Sequence, residues 1–187
     1  MDVSTCSTAV LPAHSKLNLQ FWDTLYQGKK DDWTCDKKDK ELFKFHDVLV
    51  NGKTGLSVLI PMCGRSQIVL WFAERGHRVI GIEWSELAIK QFFVKNDLAY
   101  SSKSCRIGGI EMPVYTCTAH DKSITIYCGD LFAFKEDNLG GFDCIFDHGS
   151  IGSFDFTQGR SQDFRKEGAR LRAKRAKIFR PETTPTN

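Results

Sequence analysis

An α/β doubly wound sheet, with a helical preface and a basic tail, is the fold class that this 187-residue sequence predicts. Three observations carry that reading. The stretch "LSVLI" at 56–60 is a continuous apolar run of the kind found in a strand covered on both faces, and the turn "PMCG" and an apolar helix follow it. A second such run, "HRVIGIE" at 77–83, ends on an acid. From about residue 155 the aliphatic residues thin out and lysine and arginine crowd in.

Residues 1–16 read as a flexible arm. In "LNLQFWDTLYQGKKDDW" (17–33), Leu19, Phe21, Trp22, Leu25 and Tyr26 fall at near-helical spacing, and Gly28 can end the helix. The segment 38–51 offers Leu42, Phe43, Phe45, Val48 and Leu49 as one helical face, and "NGKTG" is a turn. "SQIVLWFAERG" (66–76) is an apolar helix closed by Gly76, and Ser85 can cap the helix that begins at Glu86. After residue 98 the text becomes loopier. "MPVYTC" and "SITIYCGD" read as extended segments that could pair as a hairpin, and "FDCIF" (142–146) is one more short strand. The order strand–helix–strand–helix–strand–strand is what selects the doubly wound class. The expected organisation is an arm (1–16), one domain (17–154), and a basic tail (155–187) that is helical or disordered.

Bulk properties narrow the function classes. No apolar run reaches the ~18 residues that a membrane span needs, and the N-terminus lacks the basic and apolar regions of a secretory signal. Seven scattered cysteines without a C-x-x-C pair encode no zinc knuckle, so no metal is expected, and reduced thiols fit a cytoplasmic protein. The net charge of +3 misleads. Residues 160–180 hold nine Lys/Arg against Asp163 and Glu167, a local +7 that leaves the rest of the chain at −4. Nucleic-acid binding would therefore rest on the tail alone.

Strand, tight turn, helix, strand and acid together suggest a nucleoside cofactor. Gly64 lets backbone approach a ligand, and Glu83, nineteen residues later, can accept hydrogen bonds from both hydroxyls of a ribose. The alternative is that Glu83 only helps cap the next helix. A P-loop is excluded, and a single glycine suits a pyrophosphate badly, because phosphates want several free backbone amides. Asp130, just past a strand end, can accept from an adenine amino group or can be a solvated turn residue.

The run "LIPMCGRSQIVLWFAERGHRVIGIEWSELAIKQFF" resembles the thiopurine S-methyltransferase family, small S-adenosyl-L-methionine-dependent enzymes with a Rossmann-like sheet. The matching pattern is Pro61-Met62-Cys63-Gly64, Gly76-His77, Gly81, Glu83 and Ser85-Glu86. It extends back to "FWDTLYQGK", forward to "SITIYCGDLF" and "GGFDCIFDHGS", and covers roughly residues 17–153. The resemblance implies S-adenosyl-L-methionine as cofactor, contacted by Trp22 and Trp33 from the N-terminal segment. Met62 and Gly64 in the turn, Glu83 on the ribose, and Asp130 with Leu131 at the adenine complete the implied contacts. Without the resemblance, the two tryptophans would be read as core or lid residues.

The implied reaction moves a methyl group to the sulfur of an aromatic or heterocyclic thiol, a small-molecule acceptor. Where the family has an arginine near the acceptor, this chain has His148. That histidine can donate a hydrogen bond or act as a base, or can be only a loop residue, and Asp147 is a second acceptor-side candidate. After residue 153 the family pattern stops, so the expectation is an incomplete sheet from a truncated or divergent family member. Such a chain could be an active monomeric enzyme or a cofactor-binding remnant with impaired turnover. A third alternative gives the basic tail a role on nucleic acid or an anionic surface.

Overall fold

A computed structural model describes residues 19–28, 46–134, 139, 141–147 and 177–179 of the chain. Among them, helix α1 is Leu19–Gln27, and residues 46–50 are helical. Strand β1 (Ser57–Pro61), helix α2 (Gln67–Ala73), strand β2 (Arg78–Glu83) and helix α3 (Glu86–Lys95) follow as the sequence predicts. Next come β3 (Tyr100–Ile107), β4 (Ile110–Cys117), β5 (Ser123–Cys128), a short 3-10 turn (Leu131–Ala133), β6 (Cys144–Phe146) and β7 (Lys177–Phe179).

The described strands form one sheet in the order β3-β4-β5-β2-β1-β6-β7. The five strands from β5 to β7 run parallel, while β3 and β4 extend the β5 edge antiparallel. From β1 the chain winds outward through β2 to β5, then returns to β1's other side with β6. That reversal is the switch point of a doubly wound sheet, and ligands bind there, beyond the carboxyl ends of the strands.

The apolar runs explain why β1 and β2 are central. All five residues of β1 are buried, as are the last five of β2. One core cluster joins Val58 and Ile60 of β1 to Phe72 of α2 and Phe92 of α3, so both crossover helices cover the same face. The other face gathers Leu59, Ile80 and Ile82 with Leu131, Phe134 and Phe142. Ser66 and Ser85 cap α2 and α3, each side chain accepting a backbone N–H of the first turn, from Ile68 and Ala88.

Two expectations change. The loopier text after residue 98 contains β3, paired with β4 over eight register positions and joined to it by Gly108 and Gly109, both at positive φ. Its residues are mostly exposed, so it lacks the apolar alternation that marks a half-buried strand. In the tail, expected as helix or disorder beyond residue 154, Lys177–Phe179 instead pair parallel with β6. A three-residue strand stands on backbone pairing with its neighbour, which the local basic composition does not signal. The arm 1–16, the first part of the predicted second helix and the remainder of the tail lie outside the described residues.

At the opposite end of the sheet from the switch point, His77 is 2% exposed and its Nδ1 accepts the Leu56 N–H at 3.3 Å. That bond needs the neutral ring. Burial first, then the neighbouring His46 and Arg75, hold its pKa below the ordinary 6.5. The unfolded chain therefore binds the extra proton first, so this contribution is complete above about pH 6.5 and is lost as pH falls through the folded value. Unfolding free energies from urea curves measured from roughly pH 8 to 5 are expected to fall on the acid side by up to ~1.4 kcal/mol per pH unit from this group. A His77→Gln variant is expected to lose that component of the slope.

Candidate functional site

Strand β1 ends at Pro61, and the chain then reverses sharply. Met62 takes a φ of 47° and Gly64 one of 52°, both in the left-handed region. The turn's amides are engaged within the fold. Cys63 N–H donates to the Ile82 carbonyl at 3.1 Å, Ser66 N–H to the Cys63 carbonyl at 3.1 Å, and Gly64 N–H to Glu83 Oε2 at 2.7 Å. A pyrophosphate would need such amides free.

Glu83 closes β2 at 6% exposure. Its Oε1 accepts the Ser85 N–H at 2.8 Å, so the carboxylate spans from the turn to the start of α3. Burial pushes its carboxyl above the ordinary value, while the amides of Ser85, Gly64 and Trp84 pull it down and the Asp23 charge adds a smaller upward push. A carboxylate has about four acceptor positions, and these two bonds leave room for the hydroxyls of a ribose. The free acceptor positions of Glu83 thus suit ribose hydroxyls, while the engaged turn amides offer little to a phosphate.

Glu83's own carbonyl accepts the Gly129 N–H at 2.9 Å, which brings the end of β5 beside it. There Asp130 caps the 3-10 turn, its Oδ1 accepting the Phe132 N–H at 3.0 Å, so one oxygen serves the fold. Leu131 is buried in the cluster against which Met62 also packs. Met62, Gly64, Glu83, Asp130 and Leu131 are therefore brought together around the carboxyl ends of β1, β2 and β5. Asp147 is buried directly after β6, on the far side of the switch point. Trp22 lies on α1, half-buried and edge-on to Phe21 at 5.5 Å, one residue before Asp23, whose carboxylate accepts the Ser85 hydroxyl. Trp33 and His148 lie outside the described residues.

The Cys63 thiol is structural. It is buried, and burial followed by the Glu83 charge raises its pKa well above the ordinary value, so it is no nucleophile. Its sulfur fills the space beside Gly81: a Cβ built there would stand 2.8 Å from Sγ. At Gly64 an added Cβ would meet the Tyr26 hydroxyl at 2.5 Å, on a backbone that already disfavours side chains. Gly64→Ala is expected to cost about 2–3 kcal/mol, through strain and displacement of α1. Gly52→Ala, at φ 68° in open space, is expected to show only the smaller backbone part, about 1 kcal/mol. Thermal unfolding of both variants checks the difference.

What sequence reasoning missed is how α1 is attached. Asp23 to Ser85 spans 62 residues and Arg65 to Tyr26 spans 39, and no local pattern announces such pairs.

A switch point between β1 and β6, with a buried acid closing β2, defines a doubly wound α/β sheet with a crevice at the carboxyl ends of its strands. Solved structures share that fold. One, from work described as conversion of a disulfide bond into a thioacetal group during echinomycin biosynthesis, has a TM-score of 0.58 at 18% identity, covering 82% of this chain and 57% of the other. A SAM-dependent methyltransferase from Geobacter sulfurreducens in complex with S-adenosyl-L-homocysteine has a TM-score of 0.50 at 14% identity, over 88% and 57%. Residues 17–157 match the thiopurine S-methyltransferase family model, and the chain belongs to that family. It is 32% identical to the thiopurine S-methyltransferase of Equus caballus over 152 residues, 81% of this chain and 60% of that protein. To that of Mus musculus it is 30% identical over 152 residues, 81% and 62%. The chain thus spans about 60% of the length of these relatives.

Proposed function

We propose that the chain binds S-adenosyl-L-methionine and transfers its methyl group to the sulfur of an aromatic or heterocyclic thiol. The observation that carries the reading is Glu83, a buried carboxylate at the end of β2, held by the Gly64 and Ser85 amides where a ribose would lie. The bound cofactor would supply an electrophilic methyl on a sulfonium. The chain's residues have the work of placement. Glu83 would hold the ribose, Met62 and Gly64 would line the methionyl side, and Asp130, Leu131 and Trp84 would flank the adenine, with Trp22 and Trp33 contributing from the N-terminal segment.

An aromatic thiol ionises readily, so the protein need not supply a strong base. The methyl would pass in line from the sulfonium to the thiolate, with the sulfonium sulfur leaving as a neutral thioether, so the residues around the two reactants would have only to align them. Catalysis is then alignment at ~3–3.5 Å with water kept out. Asp147 and His148, after β6, are placed by sequence on the acceptor side, where His148 would offer a hydrogen bond in place of the family's arginine.

Titration calorimetry with S-adenosylhomocysteine tests the binding half, and methyl transfer to thiophenol tests the chemistry. Absence of binding would sink the whole reading. Binding without transfer would leave a cofactor-binding module and refute the catalytic half. Among the described residues no helix is long and apolar enough to cross a membrane. We assign the acceptor as a small molecule, the working form as a monomer and the compartment as the cytoplasm; the basic tail is given no nucleic-acid role.

A further inference from the structure

We propose that Asp23 is a positioning residue that fastens α1 across the cofactor crevice and, through Ser85, sets the carboxylate of Glu83. The inference rests on the reading of Glu83 as the ribose acceptor.

Ser85 is fully buried and works in three directions. Its N–H donates to Glu83 Oε1 at 2.8 Å, its Oγ accepts the Ala88 N–H at 3.2 Å, and its one hydroxyl proton goes to Asp23 Oδ1. A hydroxyl has a single proton to give, so the bond to Asp23 also fixes how the lone pairs meet Ala88. The helix that crosses the site and the acid that would hold the ribose are thus joined at one residue.

A second fastening lies one turn along α1. The Tyr26 carbonyl accepts from Gln91 Nε2 at 3.0 Å and from Arg65 Nη1 at 3.4 Å, and Arg65 also donates to Gln91 Oε1. The Arg65 guanidinium carbon lies 5.6 Å from the centre of the Tyr26 ring, and the Tyr26 hydroxyl occupies the space above Gly64. Helix α1 therefore grips the turn after β1 and the first turns of α3, the two segments that the Glu83 carboxylate bridges. Nine residues cannot hold a helix unaided, so these side-chain bonds are what locate it.

The groups facing Glu83 are Asp23 from α1, Cys63 from the turn and Cys128 from β5. Both thiols are raised by burial, Cys128 to about 12, and stay neutral near pH 7. Asp23 is then the charged neighbour among the described residues, and it raises the Glu83 pKa.

Two variants decide the matter. Asp23→Ala removes the acceptor, and Asp23→Asn keeps an acceptor but deletes the charge. Amide hydrogen exchange of the full chain without cofactor is expected to speed up about tenfold in α1 of Asp23→Ala, with the sheet unchanged. S-adenosylhomocysteine affinity of that variant is expected to fall about tenfold. In Asp23→Asn the α1 protection should stay near wild type, while the acid limb of affinity against pH moves to lower pH. Unchanged α1 exchange in Asp23→Ala overturns the fastening, and unchanged S-adenosylhomocysteine affinity in that variant overturns the link to Glu83. If the wild-type chain binds no S-adenosylhomocysteine, the ribose reading fails, and the exchange measurement alone decides whether Asp23 holds α1.

Discussion

A Glu83→Gln variant is expected to bind S-adenosylhomocysteine about a hundredfold more weakly than wild type while remaining folded. Hydrogen bonds from two ribose hydroxyls to a buried carboxylate are charge-assisted, and exchanging it for an amide forfeits roughly 3 kcal/mol. The amide has only one oxygen for the Gly64 and Ser85 N–H groups, which now bond separate oxygens of Glu83 at 2.7 and 2.8 Å. One of those donors would face an NH2 group and lose its partner. Against this, the variant is relieved of a buried charge whose pKa burial already pushes up. Folding stability is therefore expected to change far less than affinity. Calorimetric titration beside a urea curve separates the two, and equal affinity in both proteins would refute the assignment. The raised pKa also fixes a sign: ribose hydroxyls donate to the ionised carboxylate, so wild-type affinity should weaken as pH falls through the Glu83 pKa.

The largest effect on stability is expected at Phe72. The residue is fully buried on α2, edge-on to Trp71 at 5.1 Å, to His77 at 6.0 Å and to Phe146 of β6 at 5.7 Å. It ties the first crossover helix to the strand across the switch point. Phe72→Ala is expected to cost about 3–5 kcal/mol, from lost burial and the cavity left between α2 and the sheet. For a chain of this size that lowers the melting temperature by about 6–20 °C. Differential scanning calorimetry checks it; a change of only a degree or two would show that α2 collapses onto the gap.

The sequence made the centre of the sheet legible because burial there is strong and local. Two apolar runs, a serine before each helix and an acid closing β2 are short-range signals, and each appears where expected. Gly64, Glu83 and Asp130 lie just at or after the carboxyl ends of β1, β2 and β5, and those positions were legible for the same reason. The edges were not. Strand β3, "YSSKSCRI", exists through its pairing with β4, and its exposed residues could as well have been loop. Strand β7 depends on β6 in the same way. The attachment of α1 was hidden for a further reason: the residues that meet lie 39 to 65 positions apart, and hydrogen bonds made by single side chains leave no periodic trace.

The sulfur of Cys63 against Gly81 carries a consequence for how this chain can change over time. A side chain at 81 would need the volume that the thiol and Ile126 now fill, since an added Cβ would stand 2.8 Å from Sγ and 3.2 Å from Ile126. The three positions are then not free to drift one at a time. Enlarging residue 81 is tolerable only after residue 63 has shrunk and Ile126 has given way, so the order of substitutions matters as much as their identity.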